Sequence, residues 1–219
     1  MVNLTLYGES SWVSPWVFHA MVALAEKHLA YQLALVPLPI PPAQRAEFET
    51  HAVLGRVPML VHGDVWISES LAISEYLAER FPTPGHPRLF PEDLAQRARA
   101  RQIMSMLRTS LFALREDRPT STIFGPVRTT GTAPAAPLSA QGAADAAELL
   151  RVAGRLVQLG ALSMFEHWCI ADADLGLALM RLICNDDPVP AHLVAYAHAQ
   201  WARPSAQTYL QHVANHHTG

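Results

Sequence analysis

The segment Gly55–Phe81 reads GRVPMLVHGDVWISESLAISEYLAERF, and the chain is organised around it. Val57-Pro58-Met59-Leu60-Val61 is a short apolar run that carries a proline near its start. His62-Gly63-Asp64 separates it from a second run, Val65-Trp66-Ile67. Two apolar runs split by Gly-Asp predict a tight β-hairpin, because glycine adopts the positive φ that such a turn requires. Ser68-Glu69-Ser70 follows. Ile73, Tyr76, Leu77 and Phe81 then fall at i, i+3, i+4 and i+8, one face of a helix. Ser70 suits the N-cap of that helix, since its hydroxyl can accept an orphan backbone N–H.

Upstream, Asn3–Tyr7 (NLTLY) alternates and is rich in β-formers, which predicts a strand. Gly8–Ser14 is a loop by composition. Pro15 stands where a helix accepts proline, in its first turn. Val17, Ala20, Met21, Leu24 and Ala25 repeat at helical spacing, and Tyr31–Val36 reads as a second strand. Strand, helix and strand over this length make a βαβ unit with parallel strands. Pro37-Leu38-Pro39-Ile40-Pro41-Pro42 is neither regular helix nor central strand, and Ala43–His51 forms a short helix. The order through residue 81 is βαβαββα.

Downstream, Pro82-Thr83-Pro84-Gly85-His86-Pro87 ends the helix and marks a boundary. The expected division is residues 1–81, a linker at 82–91, and an all-helical part at 92–219. Glu92–Arg118 reads as one long helix with Met104, Leu107, Leu111 and Leu114 in a stripe, decorated by Arg97, Arg99, Arg101 and Arg108. Pro119–Gly142 is rich in Thr, Pro, Ala and Gly and reads as a long loop. Leu138-Ser139-Ala140 starts a helix running to about Leu159. Trp168–Asp172 opens another, whose Leu175, Ala178, Leu179, Leu182 and Ile183 predict a buried, central element. Ala191–Val213 supplies the remaining helical segment, before a polar tail that holds His216-His217.

The 219 residues are 50% hydrophobic and 16% charged, enough for a substantial core. The net charge of −3 implies no broad basic surface, so nucleic acid is not an expected partner. The chain has no apolar run of membrane-spanning length and no signal-type start. Its two cysteines do not suggest a disulfide framework. The expectation is a cytoplasmic protein with no membrane association. The eleven histidines form no ligand pair at helical spacing beside acidic partners, so no metal is expected.

Val57-Pro58 followed by Glu69-Ser70 resembles the second half of the thioredoxin-like domain of glutathione transferases. The resemblance implies a glutathione transferase fold, with a thioredoxin-like α/β domain followed by an all-α domain. It further implies that Pro58 is cis and that the backbone of Val57 pairs with the cysteinyl unit of glutathione, a one-residue strand addition. Ser70 and the helix N-terminus would take the γ-glutamyl carboxylate, and Glu69 would face the ammonium. Arg56 is the best candidate for the glycine carboxylate, with Gln44 behind it. Trp168-Cys169-Ile170-Ala171-Asp172 resembles the family's buried Ser/Thr-x-x-Asp capping box, with Cys169 in place of the hydroxyl. That puts more of the capping on Asp172 and makes it structural, as Asp174 is by default. Ser14-Pro15-Trp16-Val17, Arg97–Gln102 and Trp168–Asp172 look close to the bacterial YfcF-like branch, whose members are glutathione-dependent transferases and peroxidases.

The task such a site sets is to favour the glutathione thiolate, whose free pKa is about 8.5, by hydrogen-bonding the anion. Ser14 is favoured, just before a helix whose N-terminus adds positive potential. It stands where redox relatives carry cysteine and serine-type transferases carry serine. Ser11 and then Tyr7 are the alternatives. The loop holds no cysteine, which disfavours mixed-disulfide chemistry. The expected activity is addition of glutathione to small electrophiles or reduction of organic peroxides, by a homodimer. The competing class is a non-catalytic protein of the same fold that binds ligands or a partner. Trp12, Met104, Arg108 and Trp168 are named as candidates to line the second-substrate pocket.

Overall fold

The structure is a computed structural model, and it describes residues 3–125 and 135–218. The chain separates into two compact units, Met1–Leu89 and Phe90–Gly219.

The first unit runs β1 (Leu4–Glu9), α1 (Pro15–Glu26), β2 (Gln32–Val36), α2 (Pro42–His51), β3 (Met59–His62), β4 (Val65–Ser68) and α3 (Ser70–Arg80). The four strands form one sheet in the order β2-β1-β3-β4, with β1 and β2 parallel and the other pairs antiparallel. This is a thioredoxin-like arrangement. The hairpin turns at Gly63, whose φ of +59° is the left-handed conformation that the Gly-Asp pair predicted. Alternation along β1 assigns the two faces. Leu4 and Leu6 are buried, and at Gly8 a Cβ would lie 2.9 Å from Val17 of α1, so this face meets α1 closely. Phe18, Met21 and Leu24 of α1 are buried, as are Ile73 and Leu77 of α3, which packs against α1. Each such side chain contributes about 1.5–3 kcal/mol. On the other face Val36, Phe48 of α2 and Met59 form a core with Tyr7 and Trp66 packed against it. The proline segment 82–87 stays with this unit, His86 Nδ1 lying 2.9 Å from the Lys27 carbonyl oxygen. Buried Lys27 donates to the Phe81 carbonyl at 2.6 Å, tying the end of α1 to the end of α3.

The second unit is helical: α4 (Leu94–Thr109), α5 (Phe112–Asp117), α6 (Ser121–Phe124), α7 (Ala140–Leu156), α8 (Ile170–Ile183), α9 (Ala191–Trp201) and α10 (Pro204–Thr218). The helix expected over Glu92–Arg118 is two helices. Ser110 is extended and Leu111 sits at φ +59°. Tertiary partners replace the broken ladder: Leu114 N–H donates to Asp145 of α7, and Arg115 donates to the Arg108 carbonyl. Leu107, Leu111 and Leu114 stay buried across the break, which is why their spacing does not reveal it. The expected loop at 119–142 contains α6 and yields to α7 at Ala140, with Ser139 as N-cap; its residues 126–134 lie outside the described residues. The expected polar tail is the last turn of α10, where His217 Nε2 lies 2.9 Å from the Phe124 carbonyl.

Helix α8 is buried along nearly its whole length. It opens with a reciprocal capping box between Cys169 and Asp172. Asp172 accepts from the N–H groups of Cys169 and Met164, each at 2.8 Å, and from the Tyr196 hydroxyl at 2.7 Å. A Cβ at Gly176 would lie 2.8 Å from Gln200, so glycine is what lets α8 approach α9 there. Arg118 lays its guanidinium fork on Asp187, with hydrogen bonds of 2.6 and 2.9 Å.

Candidate active site

The strand register brings the sequence-predicted residues of the first unit to one end of the sheet. Glu9, the last residue of β1, pairs with Val36 at the end of parallel β2. Tyr7 pairs with Met59 at the start of antiparallel β3, so Val57-Pro58 lies just beyond that edge. Met59 pairs with Ser68, the last residue of β4, so Glu69-Ser70 leaves from the same end. The N-terminus of α1 is delivered there by the loop that follows Glu9. In open α/β sheets the crevice at the carboxyl ends of the parallel strands is the usual place for a ligand. The Val57-Pro58 peptide is cis.

Ser14 is the N-cap of α1. Its Oγ accepts the N–H groups of Trp16 at 3.3 Å and Val17 at 3.2 Å. With both lone pairs on the oxygen taken, the hydroxyl can act towards any other group only as a donor. Ser11 stands differently. Its hydroxyl donates to Glu9 at 2.6 Å. Tyr7 lies on the α2 face of the sheet, its ring 5.1 Å from Phe48 and stacked at 6.0 Å on Trp66.

Glu9 is the residue that sequence reasoning missed. The reading of 8–14 as a loop gave it no role, yet it closes β1 and is 1% exposed. The available signal was an acidic residue standing immediately before a run of loop N–H groups with no strand to pair with.

Glu69 occupies φ +73°, ψ 117°, a conformation costly for any residue with a Cβ and one that tends to mark ligand sites. It is also the N-cap, so Ser70 is the first helical residue rather than the cap that its side chain suggested; the cap position is set by where the backbone leaves β4. Ser70 is buried at 4% exposure. Its N–H lies in the first turn of α3, where the helix end favours an anion. Arg56 Nη1 lies 3.5 Å from Glu69 Oε1, an exposed pair beside Val57. Such a pair is worth little in water.

The four pocket candidates are engaged inside their own units. Trp12 is 4% exposed and Met104 is fully buried. Arg108 pairs with Asp174. The Trp168 indole donates to Gln200, and Arg203 lies over its ring. Burial pushes the thiols of Cys169 and Cys184 up, which makes both poor nucleophiles. Among the described residues there is no cluster of His, Cys, Asp or Glu able to hold a metal ion, and no helix is long and apolar enough to cross a membrane.

Residues 13–80 match the glutathione S-transferase N-terminal domain, and residues 93–215 match the glutathione S-transferase C-terminal domain. The chain belongs to the glutathione S-transferase family. It is similar to a glutathione transferase homolog from Burkholderia gl BGR1, solved with bound glutathione. That likeness has a TM-score of 0.76 at 30% identity, covering 98% of this chain and 99% of that one. A theta class glutathione S-transferase from Xanthomonas axonopodis pv. citri, solved with glutathione bound, is similar at a TM-score of 0.67 and 26% identity, covering 96% of this chain and 98% of that one. Among curated relatives, glutathione S-transferase Z1 of Arabidopsis thaliana is 39% identical over 105 residues, 48% of this chain and 45% of the relative. A probable maleylacetoacetate isomerase of Vibrio cholerae is 35% identical over 99 residues, 44% of each chain. The chain thus spans less than half the length of these curated relatives.

Proposed function

We propose that this protein is a glutathione transferase that activates the glutathione thiol at Ser14 for attack on small electrophiles, with reduction of organic peroxides as a related activity. The observation that carries this reading is Ser14 itself. Its hydroxyl, restricted to donating, caps the helix that starts at the end of the sheet where Val57-Pro58 and Glu69-Ser70 converge. Ser11 is disfavoured because its hydroxyl already donates to Glu9. Tyr7 is disfavoured because its ring is part of the packing under α2. Val57 would pair its backbone with the cysteinyl unit beside Pro58. Ser70 and the N-terminus of α3 would hold the γ-glutamyl carboxylate, and Glu69 its ammonium. Arg56, on the same side as Glu69, would meet the glycine carboxylate.

Turnover of glutathione with a chromogenic aryl halide and with cumene hydroperoxide tests the reading. Glutathione binding without turnover of either would support the non-catalytic alternative. Maleylacetoacetate belongs in the same panel, because relatives named maleylacetoacetate isomerase match part of this chain. The likeness of Ser14–Val17, Arg97–Gln102 and Trp168–Asp172 to the YfcF-like branch is why both the transferase and the peroxide arms are in the panel. The proposed scheme calls for no metal, nucleic acid or membrane. A cytoplasmic homodimer is the expected form, and a monomeric mass by light scattering at micromolar concentration would count against it.

Two variants test the γ-glutamyl end. Ser70→Ala should weaken glutathione binding by about 1.5–3 kcal/mol, the worth of a hydrogen bond to a charged group. Glu69→Gly should weaken binding similarly while holding or raising the melting temperature, because glycine accepts the backbone conformation that glutamate is forced into. Calorimetric affinities equal to wild type would remove both residues from the site.

A further inference from the structure

We propose that Glu9 is a positioning residue of this site: its carboxylate holds the 10–14 loop so that the Ser14 hydroxyl is presented as a thiolate donor, and it takes the Ser11 hydroxyl out of the chemistry. The inference rests on the reading of Ser14 given above and adds to it the part that sets Ser14 in place.

Glu9 accepts four hydrogen bonds from a single loop. Oε2 takes the Ser11 N–H at 2.7 Å and the Ser11 hydroxyl at 2.6 Å. Oε1 takes the N–H groups of Val13 and Ser14, both at 2.8 Å. A carboxyl group at 1% exposure must find its hydrogen-bond partners inside the protein, and all four of these come from the one loop. The base of the loop is held by the sheet, because Ser10 N–H donates to the Val36 carbonyl at 2.9 Å, one step past the last pair of β1 and β2. Between the two anchored stretches, Trp12 adopts φ +56°. Left-handed backbone at a bulky residue costs on the order of 1–3 kcal/mol and needs neighbours that impose it. Here Ser11 on one side and Val13 on the other are bound to the same carboxylate.

Ser14 is the last residue of this clamp and the first fixed point of α1. Its N–H is committed to Glu9, and its Oγ accepts from Trp16 and Val17. Backbone and side chain are therefore constrained from opposite directions. A negative charge near a thiolate is by itself adverse. The benefit of Glu9 must be geometric, which gives the test a definite sign.

Glu9→Gln preserves length and shape but turns one acceptor into a donor, so either Ser11 N–H or the Val13 and Ser14 N–H groups lose their partner. Wild type, Glu9→Gln, Glu9→Asp, Ser11→Ala and Ser14→Ala are compared by ultraviolet thiolate absorbance of bound glutathione against pH, by kcat, and by glutathione affinity in calorimetry. In Glu9→Gln, kcat should fall about ten- to a hundredfold, the usual result of a misplaced catalytic group. The thiol titration should move upwards towards that of Ser14→Ala, with affinity little changed. Ser11→Ala keeps the Ser11 N–H on Glu9 and loses one of the four donors, so its titration should move much less than that of Glu9→Gln. Glu9→Asp keeps the charge but is one methylene shorter; it should fall between the two, and it carries the test if Glu9→Gln is not recovered folded. A downward shift in the Glu9 variants would mean that the carboxylate acts only as an adverse charge, and would overturn the proposal. A shift in Ser11→Ala as large as that of Ser14→Ala would overturn it too, because Ser11 would then be the thiolate donor. If Ser14→Ala shifts the curve and the Glu9 variants do not, Glu9 alone is wrongly assigned. If wild-type protein binds no glutathione thiolate, the site reading fails and this inference with it.

Discussion

Ser14→Ala should raise the pKa of the bound glutathione thiol by roughly one to two units, because a hydrogen bond to the charged form is worth about 1.5–3 kcal/mol. Turnover at neutral pH should fall about tenfold or more, and part of it should return as pH rises and thiolate forms unaided. The sign follows from the free thiol at about 8.5: a site that favours the anion holds the bound thiol below that value, and losing the donor lets it climb back. Affinity for glutathione should change less, since the contacts proposed for Val57, Glu69 and Ser70 lie elsewhere on the peptide. The variant also loses the acceptor for the N–H groups of Trp16 and Val17, so stability should fall by about 1 kcal/mol as for any lost N-cap. The two effects separate in measurement, because capping moves the melting temperature and thiolate donation moves the titration curve. Ser14→Cys should bring thiol-transferase activity, since a helix N-terminus favours a cysteine thiolate. An unshifted titration in Ser14→Ala would leave thiol activation to backbone amides and the helix end.

Asp172→Ala should be the most damaging single change to the fold. It strips the partner from two buried N–H groups and the buried Tyr196 hydroxyl. At about 1–3 kcal/mol for each unsatisfied group, partly relieved by rearrangement, the loss is on the order of 3–5 kcal/mol. The urea midpoint measured by circular dichroism should drop accordingly. Asp172→Asn should cost less, because it keeps one acceptor oxygen and the shape of the neutral acid. Burial, the dominant influence, pushes the Asp172 carboxyl up, although its three donors pull it back. The folded state therefore binds this proton more readily than the unfolded chain does. That contribution to stability is largest below the ordinary carboxylate range and falls as pH rises through the window above it. Cys169→Ser restores a stronger acceptor at the cap and should leave stability unchanged or raise it by up to about 1 kcal/mol. A loss of several kcal/mol in Cys169→Ser would mean that the thiol is there for packing, not capping.

Periodicity sufficed for the elements of the first unit. Ile73 and Leu77 at helical spacing, the Gly-Asp turn between two apolar runs, and Pro15 in a first turn are local signals, and the structure keeps each of them. The capping role of Asp172 was also legible, because a box of spacing three is a local device. The break at Ser110–Leu111 was not. Leu107, Leu111 and Leu114 satisfy a continuous helical stripe, and only Asp145 of α7 and the Arg115 side chain make the interrupted backbone affordable. The one-residue shift at Ser70 has the same origin, since the exit of β4 sets the backbone of Glu69 before any side chain can cap.

For the candidate site, the resemblance to glutathione transferases pointed to Ser14, Val57, Pro58, Glu69 and Ser70, and left Ser11 and Tyr7 as alternatives. The choice proposed among the hydroxyls rests on what surrounds Ser11 and Tyr7. Ser11 donates to Glu9, and Tyr7 sits among Phe48 and Trp66; neither fact follows from spacing. Glu9 itself reads in sequence as one more polar loop residue. The role proposed for it rests on burial and on four donors folding back over it, a non-periodic arrangement that exists only once β1, β2 and α1 are packed together.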